Sequence, residues 1–206
     1  VVPLITVVIP TVDGREDQLA RTLGAYASQA PGAYRLNVIV VHNLPCVGAA
    51  WQQGAGSATG DYLHLGNDDT EPHPGWHLPA IESADAGMLP APQVYGPAGE
   101  PQSLPEWGKL AADGTPVSMS TIPFCTMAQW EKIGPLDTRL HYYADDFFSF
   151  RGKLAGYPVV LRSGYAFTHQ WAQPGRGAGM SEGGRMVHDL PLYQQSCARA
   201  AAGDWP

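Results

Sequence analysis

Gly60-Asp61-Tyr62-Leu63-His64-Leu65-Gly66-Asn67-Asp68-Asp69-Thr70-Glu71-Pro72 is a short apolar strand that runs directly into paired carboxylates. Tyr62, Leu63 and Leu65 suit the interior of a sheet, and charge arrives only where the strand must stop. In an open α/β sheet the carboxyl ends of the strands face the ligand crevice, so acidic side chains there can hold a hard divalent cation through oxygen. The two-residue period of a strand puts Asn67 and Asp69 on one side and Asp68 on the other. Asp69 is then the better metal ligand of the two acids, with Asn67 beside it. A polar Asx turn ahead of Pro72 and Pro74 accounts for the same residues without any metal.

Upstream, Leu4-Ile5-Thr6-Val7-Val8-Ile9 is a β-branched run closed by Pro10, the pattern of a strand buried on both faces of a parallel sheet. Pro10-Thr11-Val12-Asp13-Gly14 makes the turn that follows. Over residues 16–29 the apolar Leu19, Leu23, Tyr26 and Ala27 recur at helical spacing until Pro31-Gly32 stops them. Leu36-Asn37-Val38-Ile39-Val40-Val41 is a second buried strand, and strand, helix and strand in this order predict a right-handed βαβ unit. Residues 46–58 predict a second helix, weakened by Gly54 and Gly56, that delivers the chain to the acidic stretch.

Downstream, Pro74-Gly75-Trp76 opens a helix through about Ser83, and Met88 to Tyr95 is an irregular strand broken by prolines. Residues 96–116 are dense in proline and glycine and form a surface excursion. Residues 117–126 return to the sheet and 127–133 make a short helix. Residues 145–154 carry Phe147, Phe148, Phe150 and Leu154 at helical spacing behind Asp145 and Asp146, where the macrodipole alone accounts for the acids. Residues 156–161 and 165–168 are two further strands, the second ending at His169, and a helix over 187–202 closes the chain. The predicted class is α/β, a single domain with a Rossmann-like mixed sheet flanked by helices.

The 206 residues suit one sizeable domain, and 44% hydrophobic content supplies its core. A formal charge of −7 disfavours non-specific binding to nucleic acid or to anionic membrane. Cys46, Cys125 and Cys197 are odd in number and far apart, which implies neither a disulfide framework nor a zinc site. No apolar run approaches membrane-spanning length, and the amino terminus lacks the regions of a signal peptide. The expectation is a soluble, cytoplasmic protein with no membrane anchor.

Three ordered segments carry a resemblance to glycosyltransferase family 2, with its GT-A fold. They are Val7 to Asp13, Gly60 to Trp76, and Ile133-Gly134-Pro135-Leu136-Asp137 through His169, the last including Tyr142-Tyr143-Ala144-Asp145, Arg151 and Ala155-Gly156-Tyr157. The resemblance implies a GT-A domain over residues 1–170, with a donor half to about 95 and an acceptor half from about 96. Residues 171–206 then form a loop and a helix packed on the same domain. It further implies an inverting, metal-dependent transfer from a nucleotide-diphospho-sugar, a UDP-sugar first among them, to an acceptor hydroxyl. Pro10, Thr11 and Asp13 match the loop that holds base and ribose. Asn67-Asp68-Asp69 matches the DXD motif, whose last acid binds Mn²⁺ or Mg²⁺. His169 matches a histidine that completes the metal site, and Asp145 matches the general base, with Asp146 as its alternative.

The chain departs from the family pattern at several places. His42 stands where members carry an aspartate that contacts the base, Gln52 where they carry an asparagine on the donor side, and Ala144 where they carry the glutamate before the base. Beyond His169, Gln170 to Gly179 reads either as a lid, with Arg176 on the diphosphate and Trp171 over sugar or acceptor, or as a plain connector. Trp107 and Tyr143 are the other acceptor-side candidates. A packed or helix-capping role remains open for His169. The acceptor classes compatible with the composition are a protein, a small molecule or a modified nucleic-acid base. Two other functions fit the pattern: a catalytically degenerate nucleotide-sugar or carbohydrate-binding protein, and a sugar nucleotidyltransferase, although no Gly-rich, basic triphosphate loop follows the first strand.

Overall fold

A computed structural model describes residues 2–29, 32, 34–101, 122–170 and 182–205. The β-branched run forms β1 (Leu4–Thr11), which lies inside a four-stranded sheet. It pairs in parallel with β2 (Arg35–His42) on one side and with β3 (Tyr62–Leu65) on the other, and β6 (Phe124–Thr126) closes the sheet antiparallel to β3. The predicted β1–α1–β2 unit is present, with α1 spanning Glu16–Gln29. Helix α2 (Val47–Ala55) is shorter than the expected 46–58, ending at Gly56.

A second, three-stranded sheet has the order β4 (Thr70–Pro72), β7 (Val159–His169), β5 (Leu89–Tyr95). The expected strands over 156–161 and 165–168 are one strand, β7, whose pairing with β5 shifts register between Ala91 and Gln93, and Gly164 takes φ 84° in that irregular stretch. Pro90 and Pro92 are tolerated in β5 because it is an edge strand. The return strand begins only at Phe124; residues 117–121 of its expected span lie outside the described residues. Helices α3 (His77–Asp85), α4 (Met127–Ile133), α5 (Ala144–Leu154) and α6 (Glu182–Ala201) complete the chain, with α3 opening a little later and α6 earlier than expected. Residues before and after 95 interleave in the sheets, since β6 joins the first sheet and β7 pairs with both β4 and β5.

Strand alternation sorts the core into two layers. Val8, Leu63 and Leu65 face Trp51, Phe147, Phe148 and Tyr193, contributed by α2, α5 and α6. Ile5, Val7, Ile9 and Tyr62 face Tyr26, Trp76, Phe124, Tyr165 and Phe167. His64 falls in this second, aromatic layer, fully buried and stacked 5.5 Å from the Phe167 ring. Tyr165 donates its hydroxyl proton to the Ile122 carbonyl at 2.6 Å, so its oxygen accepts from His64 Nδ1 at 3.4 Å. That leaves Nε2 to accept from the Tyr26 hydroxyl at 2.7 Å. The imidazole is therefore satisfied in its neutral form, and burial pushes its pKa down from 6.5 to about 3.

An unfolded chain takes up a proton at His64 below 6.5, whereas the folded chain resists until about 3. The stability His64 contributes is thus fully present above 6.5 and is lost as pH falls through that window. Replacing His64 by Gln, which hydrogen-bonds without titrating, should flatten the acid limb of a urea-stability profile by up to ~1.4 kcal/mol per pH unit. An unchanged slope would assign the acid limb to other groups.

Candidate active site

At the carboxyl end of β3 the chain is pinned before it turns. Gly66 donates its N–H to the Val8 carbonyl at 2.9 Å, and its own carbonyl accepts from Trp51 Nε1 at 2.8 Å. The Thr70 hydroxyl closes the acidic turn on the Asn67 carbonyl at 3.1 Å. Asp68 turns inward and is only 5% exposed. Its Oδ2 accepts from Thr11 Oγ1 at 2.7 Å, its Oδ1 from Arg15 Nη2 at 2.6 Å, and its backbone carbonyl from Thr22 Oγ1 at 2.9 Å. Burial raises its pKa, opposed by the Thr11 hydrogen bond and the Arg15 charge.

Asp69 does not turn to the opposite side as the two-residue period predicts, because both acids lie in a turn and both carboxylates reach the same Arg15 Nη2. Its Oδ2 lies 3.0 Å from Arg15 Nη2 and 3.5 Å from His169 Nε2. Pairing of β4 with β7 causes this meeting: Thr70 registers opposite His169, and Gln170 N–H donates to the Asp69 carbonyl at 2.9 Å. Burial alone would raise the Asp69 pKa, but the His169 hydrogen bond and charge, with Arg15, outweigh it and hold the carboxyl below its ordinary 3.8.

One carboxylate oxygen and one imidazole nitrogen on the same side of the turn suit a hard or borderline divalent cation that keeps substrate phosphate oxygens and waters as its other ligands. Among the described residues no group of three or more His, Cys, Asp or Glu that could hold a metal ion gathers; Asp69 and His169 could supply two ligands. Arg15 was not foreseen. Its signal was its position: the first residue after Gly14 in the β1–α1 turn, at the edge where parallel strands deliver ligand-facing residues.

The loops after β1 and β2 are tied to each other. Asn43, held at φ 56°, accepts from Asp13 N–H at 3.1 Å and donates from Nδ2 to Asp13 Oδ1 at 3.0 Å. Pro10 is partly exposed, Thr11 is turned to Asp68, and His42 is exposed beside Asn43. Gln52 directs its side-chain oxygen to the Leu136 N–H at 2.8 Å, bracing the approach to α5. Ala144 is buried in the core, and Asp145 and Asp146 occupy the first turn of α5, both partly exposed. Tyr143 precedes them at φ 63° and stacks on Tyr193 with ring centres 5.3 Å apart. Trp107, Trp171 and Arg176 lie outside the described residues.

Helix α2 links the two groups of residues. Trp51 holds Gly66 of the acidic turn, while Gly48 N–H donates to the Leu140 carbonyl at 2.9 Å and Cys46 Sγ to the Thr138 carbonyl at 2.8 Å. A Cβ on Gly48 would collide with the carbonyl oxygens of Asp137 and Leu140, so glycine is what lets the chain approach. The amino end of α2 follows β2 directly, which puts the 137–143 connection at the carboxyl edge of the parallel strands.

No family model matches the sequence, and no curated protein matches it either. Similarity is found among solved structures. The crystal structure of TarS from S. aureus aligns with a TM-score of 0.60 at 14% identity, over 82% of this chain and 37% of that one. Its 1–349 segment in complex with UDP aligns with a TM-score of 0.64 at 13% identity, over 94% of this chain and 64% of that one. A second crystal structure of the 1–349 segment gives a TM-score of 0.60 at 14% identity, over 81% of this chain and 60% of that one. This chain thus spans less than two thirds of each of those chains. At these identities the likeness establishes the fold alone: a mixed α/β fold shared with TarS, in the α/β class that the sequence implied.

Arg15 is the cation common to two nearly buried carboxylates, so removing it leaves two like charges facing each other. Arg15→Ala is expected to cost ~3 kcal/mol at neutral pH by urea denaturation. The cost should shrink when Asp68→Asn is present in the same chain, because one of the stranded charges is gone. Additive losses in that double-mutant cycle would show that Arg15 acts elsewhere.

Proposed function

We propose that this chain is an inverting, metal-dependent glycosyltransferase that moves a sugar from a nucleotide-diphospho-sugar, a UDP-sugar first among them, to an acceptor hydroxyl. The observation that carries this reading is the approach of His169 to Asp69, 3.5 Å apart beside Arg15 at the end of β3. The fold shared with a structure solved in complex with UDP supports it. No described helix is long and apolar enough to cross a membrane, which fits an acceptor met in water.

Asp69 and His169 would hold Mn²⁺ or Mg²⁺, which when bound supplies Lewis-acid stabilisation of charge on a leaving diphosphate. Asp68 stays inside, where Thr11 and Arg15 keep the turn in shape. Pro10, Asp13 and His42 offer the face for base and ribose, with the Asp13 carboxylate oriented by Asn43. Asp145 takes the acceptor proton as the acceptor oxygen bonds to the anomeric carbon and the bond from that carbon to the diphosphate oxygen breaks. Asp145 lies in the first turn of α5, partly exposed, where an acceptor can approach it.

Thermal-shift measurements with UDP, GDP, dTDP and CDP, each with and without Mn²⁺, test the donor side. One nucleotide should raise Tm only with the metal, and Asp69→Ala should abolish the rise. No shift with any of them would remove the donor site. On the acceptor side, Asp145→Asn should lower kcat by ~10²- to 10⁴-fold with little change in donor KM. If Asp146→Asn shows that loss and Asp145→Asn does not, the base is Asp146.

A further inference from the structure

Helix α6 lies beyond the residues that carry the family resemblance, yet it grips the segment leading into α5. Asp189 is 3% exposed, and its Oδ2 accepts two consecutive backbone N–H groups, from His141 at 2.8 Å and Tyr142 at 2.9 Å. Its Oδ1 faces His188 Nδ1 at 2.8 Å. Tyr193, four residues on, stacks on Tyr143. Ser196, three further, donates to Asp137 Oδ2, and Arg139 joins the same carboxylate at 2.7 Å. Residues at this spacing share one face of a helix, so a single stripe of α6 holds positions 137, 141, 142 and 143.

Two N–H groups converging on one oxygen fix two successive peptide planes. The next residue, Tyr143, adopts φ 63°, a region disfavoured for a side chain of its size. It then starts α5, its carbonyl accepting from Phe147 N–H at 2.8 Å, with Asp145 two residues away. From the opposite side α2 meets the same segment through Gly48 and Cys46. The geometry points to Asp189 as a positioning residue for the transfer. It sets the 141–143 segment and so the direction in which Asp145 is presented to the acceptor, without touching substrate. This rests on the reading of Asp145 as the base.

The test compares Asp189→Ala, which loses the acceptor oxygen, with Asp189→Asn, which keeps one for both N–H groups. Asp189→Ala should lower kcat by ~10- to 100-fold, the scale of a small misplacement of a reacting group. Donor KM and the UDP–Mn²⁺ thermal shift should stay as in the wild type, and Asp189→Asn should restore most of the rate. Amide exchange at His141 and Tyr142 should quicken in the Ala variant and stay slow in the Asn variant. Wild-type kcat in Asp189→Ala, or an equal loss in Asp189→Asn, overturns the positioning role. A loss of donor binding parallel to the loss of rate overturns it too. Where Asp189→Ala does not fold, Asp189→Glu keeps the charge on a longer arm and should lose kcat in the same sense; an unchanged rate again overturns the role. Full activity of Asp145→Asn is a different failure. It removes the base reading and the catalytic consequence together, while the exchange rates still report whether Asp189 holds the segment.

Discussion

The site depends on one largely buried cation, Arg15, paired with both acids of the turn that follows β3. Asp68 is nearly inaccessible, and a carboxylate in that position is tolerable only with its oxygens satisfied; Thr11 and Arg15 satisfy them. The Thr11–Asp68 hydrogen bond also joins the ends of two neighbouring strands, since Thr11 closes β1 and Asp68 follows β3. With Asp68 held inward, Asp69 shares the same guanidinium nitrogen, and β4 carries the chain to its pairing with β7. The meeting of Asp69 with His169 is thus a consequence of the β4–β7 pairing that begins one residue downstream.

The aromatic layer beneath the turn serves the same end by different means. Tyr26 reaches from α1 to His64, and Thr22, one turn earlier on that helix, holds the Asp68 carbonyl. Helix α1 is thereby registered against β3 at two points. On the other face, α2 holds the acidic turn through Trp51 and the approach to α5 through Gln52 and Gly48. Two groups of residues far apart in sequence share one support. Rigid elements beneath a polar site preserve its geometry better than loops would.

Much of this was legible in the chain itself. The unbroken run in β1 announced a strand buried on both faces, and the charge after Leu63 to Leu65 announced where β3 ends. The strand period did not carry through Asp68 and Asp69, because they lie in a turn beyond β3 and share one guanidinium nitrogen. Arg15 was missed because a lone cation after Gly14 looks like any solvated turn residue until the acids are seen beneath it. The hydrogen bond from Leu136 to Gln52 was equally hidden, because its 84-residue span leaves no local trace. Strand β4 was missed because three residues containing a proline carry no alternation to read; their partner, β7, lies about a hundred residues away. Asp189 sits in a helix whose pattern predicts only a surface element.

The sequence by itself determined what local physics controls: which runs become strands or helices, where chain direction changes, and where polar residues interrupt apolar ones. Periodicity and β-branching act over a few residues and are written in a few residues. Tertiary structure alone decided which of those polar residues meet. Asp69 finds His169, Arg15 bridges two acids, and Asp189 seizes the turn before α5 because strand pairing and helix packing close distances that no local pattern encodes.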